Sequence, residues 1–499
     1  MPAPETGPIP SRRKNLSAAA LIHALGDWSH SPGPTYQRLA AAIVAAIETG
    51  ELPRGIRLPA ERVLAERLEL SRGTVVSAYD LCRDIGPIER RRGSGTWISD
   101  PEPAPRSVVE LEAGLRARRL TNRFLHADGD LIDLALSVVM TADGLPRDAF
   151  APDLSRLVTL AGGHGYHPLG LPALRRRLSE LHTAAGLPTI PEQIAITLGG
   201  QQAIAMTARL LLSPGDNVVV ESATYPGAID AYSRAGARFT TVRLDTGGSQ
   251  PADIARAIEH DAPRLAYLVP SCHNPTGSVM PDHRRADIAH LADDTETWIV
   301  EDESLAWAVF DGSQRQPIAA HARSGHVITI GSLSKLLWGG LRVGWIRADH
   351  NAIARIGRLK AAQDLGNCAV SQTIALGLLD RADEIVAMRR RQLQAGAEHL
   401  MSELAQHLPD WCYRTPAGGL SLWVQLPYGL ADEFAQHALT HGVSVLPGSA
   451  ASAREHHLDR IRIAYSESPA RLSAAVQRLA AAWRDFAPSE QPAHTASFG

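Results

Sequence analysis

Apolar residues recur at helical spacing early in the chain and later give way to compact apolar runs. Leu39, Ile43, Val44 and Ile47 predict a helix over 36–47, ended by Gly50. Pro59 to Leu68 predicts a second, with Val63, Leu64 and Leu68 on one face. Ser71 suits the N-cap of a third, whose buried face would be Val75, Ala78, Tyr79 and Cys82. Two short strands, Ile88–Arg91 and Thr96–Ser99, flank Gly93-Ser94-Gly95. Helix, helix, tight turn, helix and a glycine-turned hairpin make a winged helix-turn-helix plan over 35–99. Residues 1–34 read as a Pro/Gly/Ser-rich lead with one short helix near Leu16–Leu25.

Pro101, Pro103 and Pro105 break this pattern, and residues 100–130 read as a charged linker, partly helical from Val108 to Leu120. Beyond Asp130, strand candidates alternate with helical stretches. They are Ile194–Leu198, Val218–Glu221, Phe239–Val242, Leu265–Val269, Trp298–Val300, Val327–Ile330 and Val343–Ile346. This alternation predicts an α/β fold, a mostly parallel sheet with helices on both faces. After about residue 350 helices dominate. Short strands at Leu420–Val424, Val443–Leu446 and Ile461–Ala464 then predict a smaller α+β domain within a body spanning 131–490.

Composition narrows the class. The 499 residues exceed one ordinary domain, and 44% apolar content supports sizeable cores. Net charge is −3, so any nucleic-acid site must be local. Cys82, Cys272, Cys368 and Cys412 are scattered without a C-x-x-C pair, which argues against zinc or disulfides and suits a reducing cytosol. The start, with Ser11-Arg12-Arg13-Lys14 before an alanine-rich run, mimics a leader that His23 and Asp27 cut short. No run approaches the ~20 apolar residues that span a bilayer, so a soluble cytoplasmic protein is expected.

The sharpest chemical signal is a scarcity. Lys and Arg total 50, yet the lysines are Lys14, Lys335 and Lys360 alone. Lys335 lies in Gly331-Ser332-Leu333-Ser334-Lys335, straight after an apolar run and seven residues before Arg342. A guanidinium stays protonated and cannot attack a carbonyl carbon, so a retained amine here suits a Schiff base with pyridoxal phosphate. Such a site also needs a phosphate cup, an anion at the ring nitrogen, a partner for the ring oxygen and a ring stack. Gly200 and Gln201 open a helix whose amides suit the phosphate, with Ser332, Ser334 and Arg342 completing the cup. Tyr225 offers the stack, Asn274 the oxygen partner and Asp302 the anion.

Two resemblances follow from these residues. Leu58-Pro59-Ala60-Glu61-Arg62, Leu70-Ser71-Arg72-Gly73-Thr74-Val75 and Arg92-Gly93-Ser94-Gly95-Thr96 resemble the winged helix of the GntR regulators. That resemblance implies double-stranded operator DNA as partner, contacted by Arg62, Arg72 and Thr74, with Gly95 letting the wing enter the minor groove. Arg92, in the basic wing run Arg90–Arg92 that holds most of the module's excess positive charge, is a further DNA-binding candidate. Ala60 stands where a Ser cap is usual, and Pro87 where an apolar residue leads into the wing. The later motifs resemble the fold-type I aminotransferases. By that resemblance Tyr166 would reach the neighbouring subunit's phosphate and Arg462 would grip a ligand carboxylate. Asp302-Glu303-Ser304 departs from it, since the family commonly has a Tyr shortly after the Asp.

Joined in one chain, the two modules are similar to the MocR regulators. The resemblance implies a head-to-tail homodimer with pyridoxal 5'-phosphate as cofactor. It also implies transcriptional control by an amino-acid-like effector, or by the cofactor itself. An active aminotransferase carrying a DNA-binding appendage is the alternative.

Overall fold

In the computed structural model, the described residues are 16–26, 28, 34–48, 51–52, 56–85, 88–91, 95–98, 131–139, 145, 147–454 and 456–486. The chain divides into two units, residues 1–112 and 113–499. In the first, α1 (Ala18–Leu25), α2 (Thr35–Glu48), α3 (Glu61–Arg67) and α4 (Arg72–Ile85) precede the antiparallel hairpin of β1 (Ile88–Arg91) and β2 (Gly95–Ile98). Leu39, Ile43 and Ile47 of α2 meet Val75, Ala78, Tyr79 and Cys82 of α4 in one core. The lead joins this core through Leu21 and Leu25 of α1, whose first turn is capped by Ser17 Oγ accepting Ala20 N–H at 3.1 Å.

Tyr79 donates its hydroxyl to the Pro59 carbonyl at 3.0 Å, which ties the entry of α3 to α4. Val63 departs from expectation and is 49% exposed. With seven residues, α3 has room to bury only a narrow stripe, centred on Leu64 and Ala65. The linker, Gly50, Pro87 and the Gly93–Ser94 turn lie outside the described residues.

The second unit begins with β3 (Ile132–Asp133). Then come β4 (Ile194–Thr197), β5 (Asn217–Glu221), β6 (Arg238–Val242), and a small hairpin of β7 (Leu244–Asp245) and β8 (Gly248–Ser249). They are followed by β9 (Leu265–Leu268), β10 (Trp298–Asp302), β11 (Val327–Ser332) and β12 (Gly344–Arg347). The main sheet has seven strands in the order β4-β12-β11-β10-β9-β5-β6.

The run from β11 to β6 is parallel, whereas β12 is antiparallel to both its neighbours, which the sequence pattern did not reveal. Helices cover both faces. Along β5, Val218 and Val220 face helices Gly199–Leu211 and Pro226–Arg234, while Val219 faces Pro251–Asp261 and Asp282–Asp294. That alternation is the two-residue period of a doubly covered strand.

A smaller antiparallel sheet, β13-β14-β17-β16, follows the long helix Ala382–His407. Its strands are β13 (Cys412–Tyr413), β14 (Ser421–Gln425), β16 (Leu446–Pro447) and β17 (Arg460–Ala464). The expected strand over 443–446 is two pieces, because β15 (Val443–Ser444) leaves this sheet to pair in parallel with β3. The chain from 132 to 138 is thereby stitched to the C-terminal sheet, and Ala464 N–H also donates to Leu134 O at 2.9 Å. No helix among the described residues is long and apolar enough to cross a membrane.

Candidate functional site

Most predicted residues of the body follow the carboxyl ends of β4, β5, β9, β10 and β11, where open parallel sheets bind ligands, whereas Arg462 lies in β17 and Tyr166 on a loop before β4. Helix Gly199–Leu211 starts directly after β4, so its first-turn amides face this edge. Gly199 has φ +73, and a β-carbon there would lie 3.2 Å from the Arg342 guanidinium and 3.3 Å from Ser334 Oγ. One at Gly200 would lie 3.3 Å from Ser304 Oγ and 3.7 Å from Ser332 Cβ. The helix start, Ser332, Ser334 and Arg342 therefore form one cup. Ser334 Oγ is buried there without a hydrogen-bond partner.

Reversal of β12 is what delivers Arg342. The strand's amino end lies beside the carboxyl ends of its neighbours, with Gly344 opposite Thr197 and Ser332. Arg342 then donates to Leu198 O. Gln201 Nε2 donates to Gly227 O at 2.7 Å, joining the cup to the turn that carries Tyr225.

Asp302 ends β10 and is 7% exposed. Its Oδ1 accepts Ser304 N–H at 3.0 Å, and its Oδ2 accepts the Tyr267 hydroxyl at 2.7 Å. Burial and the Asp302 charge push the Tyr267 phenol well above its ordinary pKa, so it stays a donor. Asn274 Oδ1 accepts from Arg462 Nη1 at 2.7 Å, while Arg462 Nη2 donates to Ala135 O. Lys335 Nζ donates to Ser137 O. Lys335 and Asn274 line one pocket with Ser137, Cys272 and Leu305.

Three features were not read from the sequence. Tyr267 looked like one apolar strand residue among others, although a buried tyrosine hydroxyl demands a partner. Residues 135–137 supply carbonyls to Arg462 and Lys335, and no local motif announces them. The third is the fully buried Lys360, whose Nζ donates to Asp364 at 3.0 Å and Gln202 Oε1 at 3.3 Å. Burial pulls its amine below the ordinary range, opposed by Asp364.

Ser304, singled out as a shortened substitute for a tyrosine, does not line this pocket. Its hydroxyl faces the helix start, and the pocket-lining residue of that turn is the apolar Leu305. Tyr166 is 58% exposed, with its ring stacked on His164 at 6.1 Å.

In the first unit, Arg62 and Arg72 are exposed and Thr74 is half-buried. Ser71 Oγ accepts Thr74 N–H at 3.1 Å and bonds Thr74 Oγ1 at 2.8 Å, capping α4. Ala60 begins α3 without a side-chain cap bond. Gly95 has φ +86 and is covered by Arg57, whose Nε would lie 2.8 Å from an added β-carbon. Its small size thus also accommodates an arginine of its own module. Arg92 lies outside the described residues.

Residues 146–479 match the family Aminotransferase class I and II, and residues 35–98 match Bacterial regulatory proteins, gntR family. The chain belongs to the class I and II aminotransferase family. Fused to the GntR DNA-binding domain, it has the architecture of the MocR regulators. It is 27% identical to the probable rhizopine catabolism regulatory protein MocR of Rhizobium meliloti, covering 80% of this chain and 83% of that protein. It is also 27% identical to the HTH-type transcriptional regulator TauR of Rhodobacter capsulatus, covering 91% and 97%.

Among solved structures, the aminotransferase-like body is similar to the alpha-aminoadipate aminotransferase LysN of Thermus thermophilus, complexed with N-(5'-phosphopyridoxyl)-L-leucine. The TM-score is 0.65 and the identity 26%, over 71% of this chain and 92% of that one. The family and these neighbours imply pyridoxal 5'-phosphate. The residues present fit that group. An unpartnered buried hydroxyl and two glycines line a helix start suited to a phosphate, and a buried carboxylate ends β10.

Proposed function

We propose that this chain is a ligand-responsive transcriptional regulator, acting as a head-to-tail homodimer on operator DNA and sensing an amino compound at the Lys335 site. One observation carries this reading: a GntR module and a pocket lined by Lys335 share one chain, and Leu305 leaves that pocket without a hydroxyl from the Asp302 turn.

Bound there, pyridoxal 5'-phosphate supplies an electrophilic carbon and an electron-withdrawing ring. The residues of the chain do the rest. Gly200, Gln201, Ser332, Ser334 and Arg342 would hold its phosphate, joined by the partner protomer's copy of Tyr166. Tyr225 would cover the ring, Asn274 would meet its oxygen, and the Asp302 carboxylate would favour a proton on its nitrogen. Lys335 would supply the amine that holds the cofactor, and Arg462 would meet an effector's carboxylate. Each terminal guanidinium nitrogen carries a second proton, so a fork can form beside the bonds to Asn274 and Ala135.

Regulation then follows from linkage. An effector that binds two states of the body unequally biases DNA affinity by the same free energy. Arg462→Ala should keep the cofactor but raise the half-saturating effector concentration about 100-fold, close to the 3 kcal/mol expected for a lost charged fork. Absorbance titration reads this directly. Equal DNA affinity for apo, cofactor-loaded and effector-saturated protein would refute the regulatory reading, and steady turnover of amino donors would favour a working aminotransferase.

On DNA selected from a random pool, log affinity should fall linearly with log salt, by about 0.9 per neutralised phosphate. Arg72→Ala should reduce that slope by about 1 if the side chain meets a phosphate. A slope of zero in the parent protein would rule out the proposed interface.

A further inference from the structure

The pocket beside Lys335 shares Lys335 and Asn274 with the ring site, and the rest of its lining has a character of its own. One wall is backbone, Gly277 and Gly419–Leu420–Ser421. It cannot recede: Ala417 N–H donates to Gly277 O at 3.1 Å, Gly419 N–H to Ala308 O at 3.2 Å, and Phe310 N–H to Ala417 O at 2.9 Å. A β-carbon at Gly277 would come within 2.6 Å of Pro416 Cβ, and one at Gly418 within 2.5 Å of Cys272 Sγ. Leu305 and Leu420 add apolar side chains to the lining.

Charge is equally restricted. Lys335 is the only lining residue that carries a charge into the pocket among the described residues. The His273 ring is sealed on both sides, Nε2 against Glu221 at 3.0 Å and Nδ1 against Thr276 at 2.9 Å. Burial pushes the Cys272 thiol up, so it remains neutral. Ser137 supplies an unusual feature, a buried Oγ with no hydrogen-bond partner beside the carbonyl that meets Lys335. Ser421 adds a second hydroxyl-bearing residue to the lining.

We infer that the effector is an α-amino acid with a short, uncharged side chain, and that Ser137 favours one bearing a hydrogen-bonding atom. This rests on the amino-compound reading above. Arg462, bonded to the lining Asn274, would take the first carboxylate, and a second would be desolvated with no lining cation but Lys335. A second ammonium would face Lys335 itself. A long or aromatic chain would meet a wall fixed by its own backbone bonds.

The test is an absorbance titration of the cofactor-loaded, full-length protein with glycine, alanine, serine, glutamate, lysine and phenylalanine. Calorimetry provides a second readout. Serine and alanine should half-saturate at concentrations at least about tenfold below glutamate, lysine or phenylalanine, the scale on which a rigid pocket discriminates. Ser137→Ala should erase the advantage of serine over alanine.

Glutamate or phenylalanine acting at serine's concentration would overturn this inference and leave the amino-compound reading standing. Silence towards every amino acid would overturn both. An undiminished serine preference in Ser137→Ala would remove Ser137 from the account.

Discussion

Lys335→Arg will lose reductively trappable cofactor altogether, while the winged-helix unit keeps its fold. The substitution preserves charge and approximate length, so the bond to Ser137 O can be kept. What it removes is an amine that can shed its proton. A guanidinium has a pKa above about 12 and no available lone pair at neutral pH. The measurement is mass spectrometry after borohydride treatment of protein soaked in pyridoxal phosphate. Few lysines exist to confuse the result, and Lys360 is buried against Asp364. Cofactor mapped to any other lysine, or still trapped in Lys335→Arg, would sink the assignment.

Lys360→Met will lower stability by about 2 kcal/mol, because it leaves the half-buried Asp364 carboxylate without its cation. Asp364 Oδ2 would lose Lys360 at 3.0 Å, keeping Gln202 Nε2 at 2.7 Å. Gln202 matters because its Oε1 also accepts Leu198 N–H at 2.8 Å, at the residue leading into the phosphate helix. Lys360 is thus a positioning residue for that turn.

A purely structural lesion would weaken every ligand alike. Loss of positioning should weaken pyridoxal phosphate roughly tenfold, about 1.4 kcal/mol, and leave unphosphorylated pyridoxal unchanged. Equal losses for both would reduce Lys360 to a packing role. Adding Asp364→Leu to Lys360→Met should restore most of the stability, since removing both charges eliminates the stranded one.

Much of this site was legible because its chemistry restricts residue type within short spans. Lys335 with its serines, Asn274 before a proline and Asp302 at a strand end each follow an apolar run, and a run's end marks the sheet edge. The recognition helix was legible for a similar reason. Ser71 caps it and Val75, Ala78, Tyr79 and Cys82 repeat on one face, all buried as expected. Val63 misled because helical spacing names a face without saying how wide a stripe the partner helices cover. Ser304 misled because chain proximity to Asp302 does not say which side chain of a turn enters the pocket.

The sequence alone determined the two modules, the strands of the main sheet and the residue types suited to an amine, a phosphate and a carboxylate. These follow from local periodicity and from chemistry that permits few substitutes. Tertiary structure decided the reversed sense of β12 that brings Arg342 to the cup, and the return of residues 132–138 to the C-terminal sheet. It also decided the Lys360–Asp364–Gln202 link behind the phosphate turn and the sealing of His273. Each includes a contact between groups far apart in the chain, and hydrogen bonds across such distances leave no periodic trace in the sequence. They exist only once burial makes an unpaired polar group too costly to leave unmet.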